Sequence, residues 1–196
     1  MPKVKPTKPN NRLIDMQNPP VVQQQALRHG DLARQLFADP KLNAYAVLDG
    51  ASNPALLDHL YDGERPEFAC LYRGELEPDM AECAPYLARL EPDSPFTQWA
   101  IDNCLGNHWG IFALSRADLH GLLQHFRKHT MVYDSNNRPL LFRYYDPRVL
   151  REFLPACDLG QTADLFGPVE AFFAEAEDGE GHLRFDRPVG LAAGRV

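Results

Sequence analysis

The chain has 196 residues, 44% of them hydrophobic and 24% charged, which suits one sizeable core and excludes a disordered chain. A net charge of −7 argues against binding a phosphate backbone, and no apolar run approaches the roughly 20 residues that cross a bilayer, so neither nucleic acid nor membrane is an expected partner. The four cysteines, Cys70, Cys83, Cys104 and Cys157, are scattered without a C-x-x-C pair and read as reduced thiols of a cytoplasmic protein.

Residues 1–20 hold many Pro, Lys and Asn and little to bury, so a flexible tail is expected; Lys3, Lys5, Lys8 and Arg12 are not followed by the apolar core of a secretory signal. One domain is expected over residues 21–190, with a frayed end at 191–196. From Val21 to Phe37 the apolar positions Val22, Ala26, Leu27, Ala33, Leu36 and Phe37 predict a helix, split near Gly30-Asp31. Asn43 to Leu48 is apolar enough for a central strand and ends in Asp49-Gly50. Ser52 or Asn53 before Pro54 then opens a helix to about Tyr61. Phe68 to Tyr72 reads as a strand. The acidic stretch with Glu75, Glu77, Asp79 and Glu82 reads as a solvated face leading to a strand at Tyr86 to Leu90.

Ser94-Pro95 starts a helix to Cys104 that Gly106 ends, and His108 to Leu114 is the next strand. Ser115-Arg116-Ala117-Asp118 has capping-box spacing, and the helix after it carries Leu119, Leu122, Leu123 and Phe126 on its buried side. His125 and His129 are four residues apart, a spacing that holds metals, but a third ligand is missing from the pattern and no metal is expected. Met131 to Tyr133, the polar turn Asp134 to Arg138, and Leu140 to Tyr145 predict a β-hairpin. Gln161 to Phe166 predicts a short helix stopped by Gly167-Pro168, followed by strands at Val169 to Ala174 and Leu183 to Phe185. Helices mixed with strands, some joined by a tight hairpin, predict a mixed α/β (α+β) domain whose sheet is partly antiparallel and flanked by helices.

The densest stretch runs from Leu140 to Leu154. Its first half alternates as a strand, with Leu140, Phe142 and Tyr144 on one face and Leu141, Arg143 and Tyr145 on the other. Asp146-Pro147 then switches the backbone: the carboxylate accepts free N–H groups of a first helical turn, and Pro has no N–H to leave unpaired. In the following helix Val149, Leu150, Phe153 and Leu154 form one apolar stripe opposite Arg148, Arg151 and Glu152. Arg143, Arg148 and Arg151 therefore converge on one junction. Either carboxylates pair with them and fix the strand–helix angle, or the arginines and Tyr145 face a partner.

No G-x-S-x-G elbow or phosphate-binding G-x-x-x-x-G-K-[ST] loop is present, and no reaction class can be named from seven histidines and many carboxylates. Asp49 at a strand's carboxyl end occupies a place where α/β enzymes keep catalytic acids, but a turn or capping role suits its neighbours better.

The run Phe142-Arg143-Tyr144-Tyr145-Asp146-Pro147-Arg148-Val149-Leu150 resembles the signature of the effector-chaperone, or adaptor, family of bacterial type VI secretion, long catalogued as domain of unknown function number forty-one twenty-three. Tyr45 to Ala51, Ala84-Pro85-Tyr86-Leu87, Trp109-Gly110-Ile111 and Phe166-Gly167-Pro168-Val169 agree in order, so the resemblance covers about residues 44 to 175. It implies a cytoplasmic protein that is not an enzyme and uses no cofactor. Its partners would be a cognate toxin effector and the spike-tip protein of the secretion apparatus. The candidate partner-binding residues are Arg143, Tyr145, Asp146, Arg148 and Arg151, as contact or as the scaffold beneath it. The alternative is a small hydrolase holding a phosphorylated or acidic substrate on the arginines, with Asp49 or a histidine as acid–base group. A structural component of the injection machine is a third reading.

Overall fold

A computed structural model describes Val22 and residues 24–190, so the expectations for 1–20 and 191–196 fall outside the described residues. The predicted central strand, β2 (Asn43–Asp49), is paired on both sides, with β4 (Pro85–Leu90) and β5 (Gly110–Ser115). Outward from β4 lies β3 (Phe68–Cys70); outward from β5 lie β8 (Val169–Glu175), β9 (Gly181–Asp186) and β1 (Gln24–Arg28). Every pair in this seven-stranded sheet is antiparallel, so the antiparallel share of the expected sheet extends to all of it.

Strand alternation sorts the core into two layers. Tyr45, Val47, Leu87, Ile111, Ala113, Phe172 and Ala174 point to one face, where α5 (Leu119–Phe126), α6 (Pro147–Ala156) and α7 (Leu159–Phe166) cover them. Ala44, Ala46, Leu48, Tyr86, Ala88, Phe112, Leu114 and Phe173 point to the other, against α1 (Leu32–Leu36), α2 (Leu56–Tyr61) and α4 (Pro95–Cys104). With both faces covered, β2 is buried from Ala44 onward, which is why it reads as a continuous apolar run despite its antiparallel neighbours. A short helix, α3 (Pro78–Cys83), lies within the acidic stretch and has no buried residue, as a solvated face requires.

Three local expectations change. Val21 to Phe37 is not a helix: residues 24–28 form β1 along the edge of β9, from Gln24 opposite Phe185 to Arg28 opposite Gly181. A 3₁₀ turn follows, and only Leu32–Leu36 is α-helical, with Leu32 and Leu36 buried one turn apart. A free sheet edge offered the backbone partners that outweigh a weak helical period. Ser115 does not cap α5; Asp118 does, accepting from Gly121 N at 2.8 Å, while Ser115 Oγ accepts from Ala117 N and donates to Pro168 O. The hairpin is real but shorter: β6 (Met131–Tyr133) pairs with β7 (Pro139–Leu141) as a separate two-stranded ribbon, and the chain leaves the ladder after Phe142 N bonds Thr130 O.

Candidate functional site

The motif is a turn set into the core. Asp146 N donates to Arg143 O at 2.9 Å, closing a turn over residues 143–146, so Tyr144 and Tyr145 cannot alternate as strand residues do. Both are buried. Tyr144 packs among Phe126, Phe142 and His129, and its hydroxyl lies 3.4 Å from Phe126 O. Tyr145 lies beside Tyr72, and burial, reinforced by that neighbour, pushes its phenol pKa up. Tyr145 therefore belongs to the scaffold beneath the surface.

Asp146 does what the sequence implied. Its Oδ1 accepts from Arg148 N at 3.0 Å at the start of α6, and the Arg148 guanidinium doubles back on the same carboxylate, Nε to Oδ1 at 3.0 Å and Nη2 to Oδ2 at 2.7 Å. Burial of Asp146 opposes its charge, but these bonds to Arg148 win and hold its pKa below the usual carboxylate range. Arg148 itself is over half exposed along its side chain, so the arginine end of this fork lies at the surface while the Asp146 carboxylate is buried.

Arg143 turns the other way, to the end of β2. Asp49, only 1% exposed, takes Arg143 Nη2 and Ser52 Oγ (2.6 Å) on one oxygen and Ala51 N (3.3 Å) on the other. Burial works against the Arg143 charge, and Asp49 offsets it, leaving the guanidinium pKa raised. The corner fits because Gly50 has no side chain: a Cβ there would stand 2.3 Å from Glu82 O and 2.6 Å from Ala84 O. Asp49 thus has its turn role and a second one, a brace to a residue 94 positions later.

Arg151 is held by a backbone group, donating from Nη1 to Glu175 O at 2.7 Å. The three arginines share a neighbourhood, yet each has its own acceptor. Sequence reasoning did not single out Glu175. Its carboxylate is 1% exposed, accepts from Gly106 N (2.9 Å) and His108 N (3.0 Å), and lies 2.7 Å from His108 Nδ1, tying the α4–β5 loop to the end of β8. The signal was the alternation Ala171, Phe173, Glu175, which puts all three on the α4 face.

His125 and His129 do meet, ring centroids 4.7 Å apart, but as packed rings. His125 Nε2–H donates to Leu165 O at 2.8 Å, and the ring fills the space over Gly167, whose φ of +45° suits glycine. Burial lowers the His125 pKa to about 4 and lowers that of His129 too. Among the described residues no group of three or more His, Cys, Asp or Glu is placed to hold a metal ion. The four cysteines are free thiols, and no helix among the described residues is long and apolar enough to cross a membrane.

An open depression lies on the outer side of α6, lined by Asp146, Arg148, Val149, Glu152, Phe153 and Ala156. Comparison with curated proteins and with solved structures gives no match. The profile of the family described as "Domain of unknown function (DUF4123)" matches residues 44–164, more than half of the chain and the whole of the Asp49–Arg143–Asp146 corner, and the protein belongs to that family.

Proposed function

We propose that the protein is a non-catalytic cytoplasmic adaptor, a chaperone that holds a type VI secretion toxin effector and helps load it onto the spike protein. Family membership and the motif resemblance support this reading. The observation that carries it is the use of the motif's charges. Asp49, the carboxylate that the hydrolase alternative offers beside its histidines, is buried and bonded to Arg143, Ser52 and Ala51 N, and Arg148 is bonded to Asp146. General acid–base work needs a carboxylate within reach of a substrate proton, and a substrate anion needs an uncommitted guanidinium. The same groups serve well as braces that hold a rigid surface for a client protein. Exposed Arg148 and half-buried Arg151 are the contact candidates, over a scaffold of Arg143, Tyr145 and Asp146.

Co-expression with the products of genes encoded beside this one, followed by affinity purification and sizing, tests the reading. A stable complex with a toxin-like neighbour or with the spike tip is expected. A well-folded protein that retains none of them overturns the adaptor and leaves the small hydrolase as the reading to pursue.

A further inference from the structure

The β6–β7 ribbon is unusual in what it leaves in water. Met131, Val132, Tyr133, Leu140 and Leu141 are between 41% and 55% exposed, on both faces of a two-stranded sheet. Scattered exposed apolar residues need no explanation, but a contiguous set does. Phe142 N→Thr130 O and Asp134 N→Arg138 O fix the hydrogen-bonded pairs of the ribbon, so Val132 and Leu140 bond each other. The N–H and C=O groups of Met131 and Tyr133 then face away from β7, and among the described residues they have no hydrogen-bond partner.

Other strand edges are blunted. On β7, Pro139 stands opposite Tyr133 and so places its ring where an outward N–H would be. On β3, the outward Cys70 O accepts from Arg127 Nη2 at 2.8 Å. The edge strand β1 reads Gln-Gln-Ala-Leu-Arg, mostly polar. Among the described strands, β6 joins an unpaired backbone edge to a wholly apolar set of exposed side chains.

The charges near this edge are matched within the chain: Arg138 pairs with Asp134, Arg143 with Asp49 and Arg148 with Asp146. Lys128 before β6 and Glu152 beside Phe153, both exposed, are one of each sign. Two copies of the face therefore meet without a like-charge penalty. The strand is also self-complementary. In an antiparallel pair centred on Val132, the two valines lie opposite each other at the close, non-hydrogen-bonded position, and Met131 of each copy lies opposite Tyr133 of the other. Each Met131–Tyr133 pair exchanges both backbone bonds, which satisfies the outward groups of both copies, and sets a thioether against an aromatic ring. With five side chains about half exposed, two copies bring at most about 800 Å² of apolar surface together, the size of a weak, reversible interface.

We infer that the outer edge of β6 pairs with β6 of a second copy of this chain, antiparallel and centred on Val132, giving a weak isologous dimer with a continuous β7–β6–β6–β7 ribbon. This surface stands apart from the adaptor reading, and its test needs no client.

The test is sedimentation of the full chain from about 5 to about 500 µM, for the parent, for Val132→Lys and for Val132→Glu. Val132 is 41% exposed, so either substitution should leave the thermal midpoint nearly unchanged. The parent is expected to pass from monomer toward dimer over that range, with slower amide exchange at Met131 and Tyr133 in the concentrated sample. Each variant alone should stay monomeric, because like charges face each other across the two-fold. The two variants mixed should associate again, about tenfold more tightly than either alone. A parent that stays monomeric overturns the inference, whether its Met131 and Tyr133 amides exchange freely or are covered by another part of the chain. A dimer that either variant leaves intact overturns it by placing the contact elsewhere, and so does a mixture of the two variants that fails to associate.

Discussion

Leu140 and Leu141 stand about half exposed in the β6–β7 ribbon, whereas Tyr144 and Tyr145, four residues further on in each case, are sealed into the core beside buried Asp49 and its partner Arg143. Composition alone would reverse them, since leucine is the more frequently buried type and arginine the more frequently exposed. In the corner, charge is used for structure: a buried carboxylate needs a partner, and Arg143 supplies it from 94 positions later in the chain. In the ribbon, apolar surface is left uncovered, a state that favours association. A motif rich in arginine and tyrosine is therefore not by itself an interface; what matters is which acceptors the fold provides.

The comparison breaks most readily at the corner. Arg143→Met strands Asp49 with only Ser52 and Ala51 N as donors, and we expect a loss of about 3 kcal/mol in chemical unfolding, because an uncompensated buried charge costs more than a surface pair contributes. Adding Asp49→Asn should restore part of it; an Arg143→Met protein of unchanged stability would show that the pair is surface decoration.

The buried side can be sharpened through pH. With its pKa lowered from 6.5 to about 4, folded His125 resists a proton that the unfolded chain accepts. Its contribution is therefore complete above pH 6.5 and is lost as the pH falls toward 4. By pH 5 the loss is about 2 kcal/mol. His125→Gln, which keeps an amide N–H for Leu165 O, should flatten the fall in stability between pH 7 and pH 5. A variant as acid-sensitive as the parent would place the titration on other groups, His129 first.

The smallest effect on stability is expected on the outer rim of α6. Arg148→Glu/Arg151→Glu removes one exposed fork and one bond to a backbone carbonyl, about 1 kcal/mol or less in a thermal melt. On the proposed adaptor reading, the same pair should weaken client or spike binding. A large loss of stability would instead make both arginines internal braces, on the corner's side of the comparison.

Much of the scaffold was legible because it rests on local chemistry. Asp146-Pro147 starts α6, Ser94-Pro95 starts α4, Gly167 ends α7, and the apolar run from Ala44 to Leu48 is the doubly covered centre of the sheet. Two of the three changed expectations share one cause. β1 needed the edge of β9 and Ser115 was drawn to Pro168 O, so a partner distant in sequence outweighed a local preference; the end of β7 instead gave way to a local turn, Arg143–Asp146.

Alternation and capping, with periods of two and 3.6 residues, are properties of neighbouring residues, and through them the sequence by itself determined the order and kinds of most elements. It also put Asp49 on the same side of β2 as Tyr45 and Val47. Only the tertiary structure decided that Arg143 reaches Asp49, that Glu175 holds the loop at His108, and that the ribbon's leucines stay outside. Those outcomes depend on which groups are brought within hydrogen-bond distance across tens of residues, and on which apolar surface remains once the two layers of the core are filled.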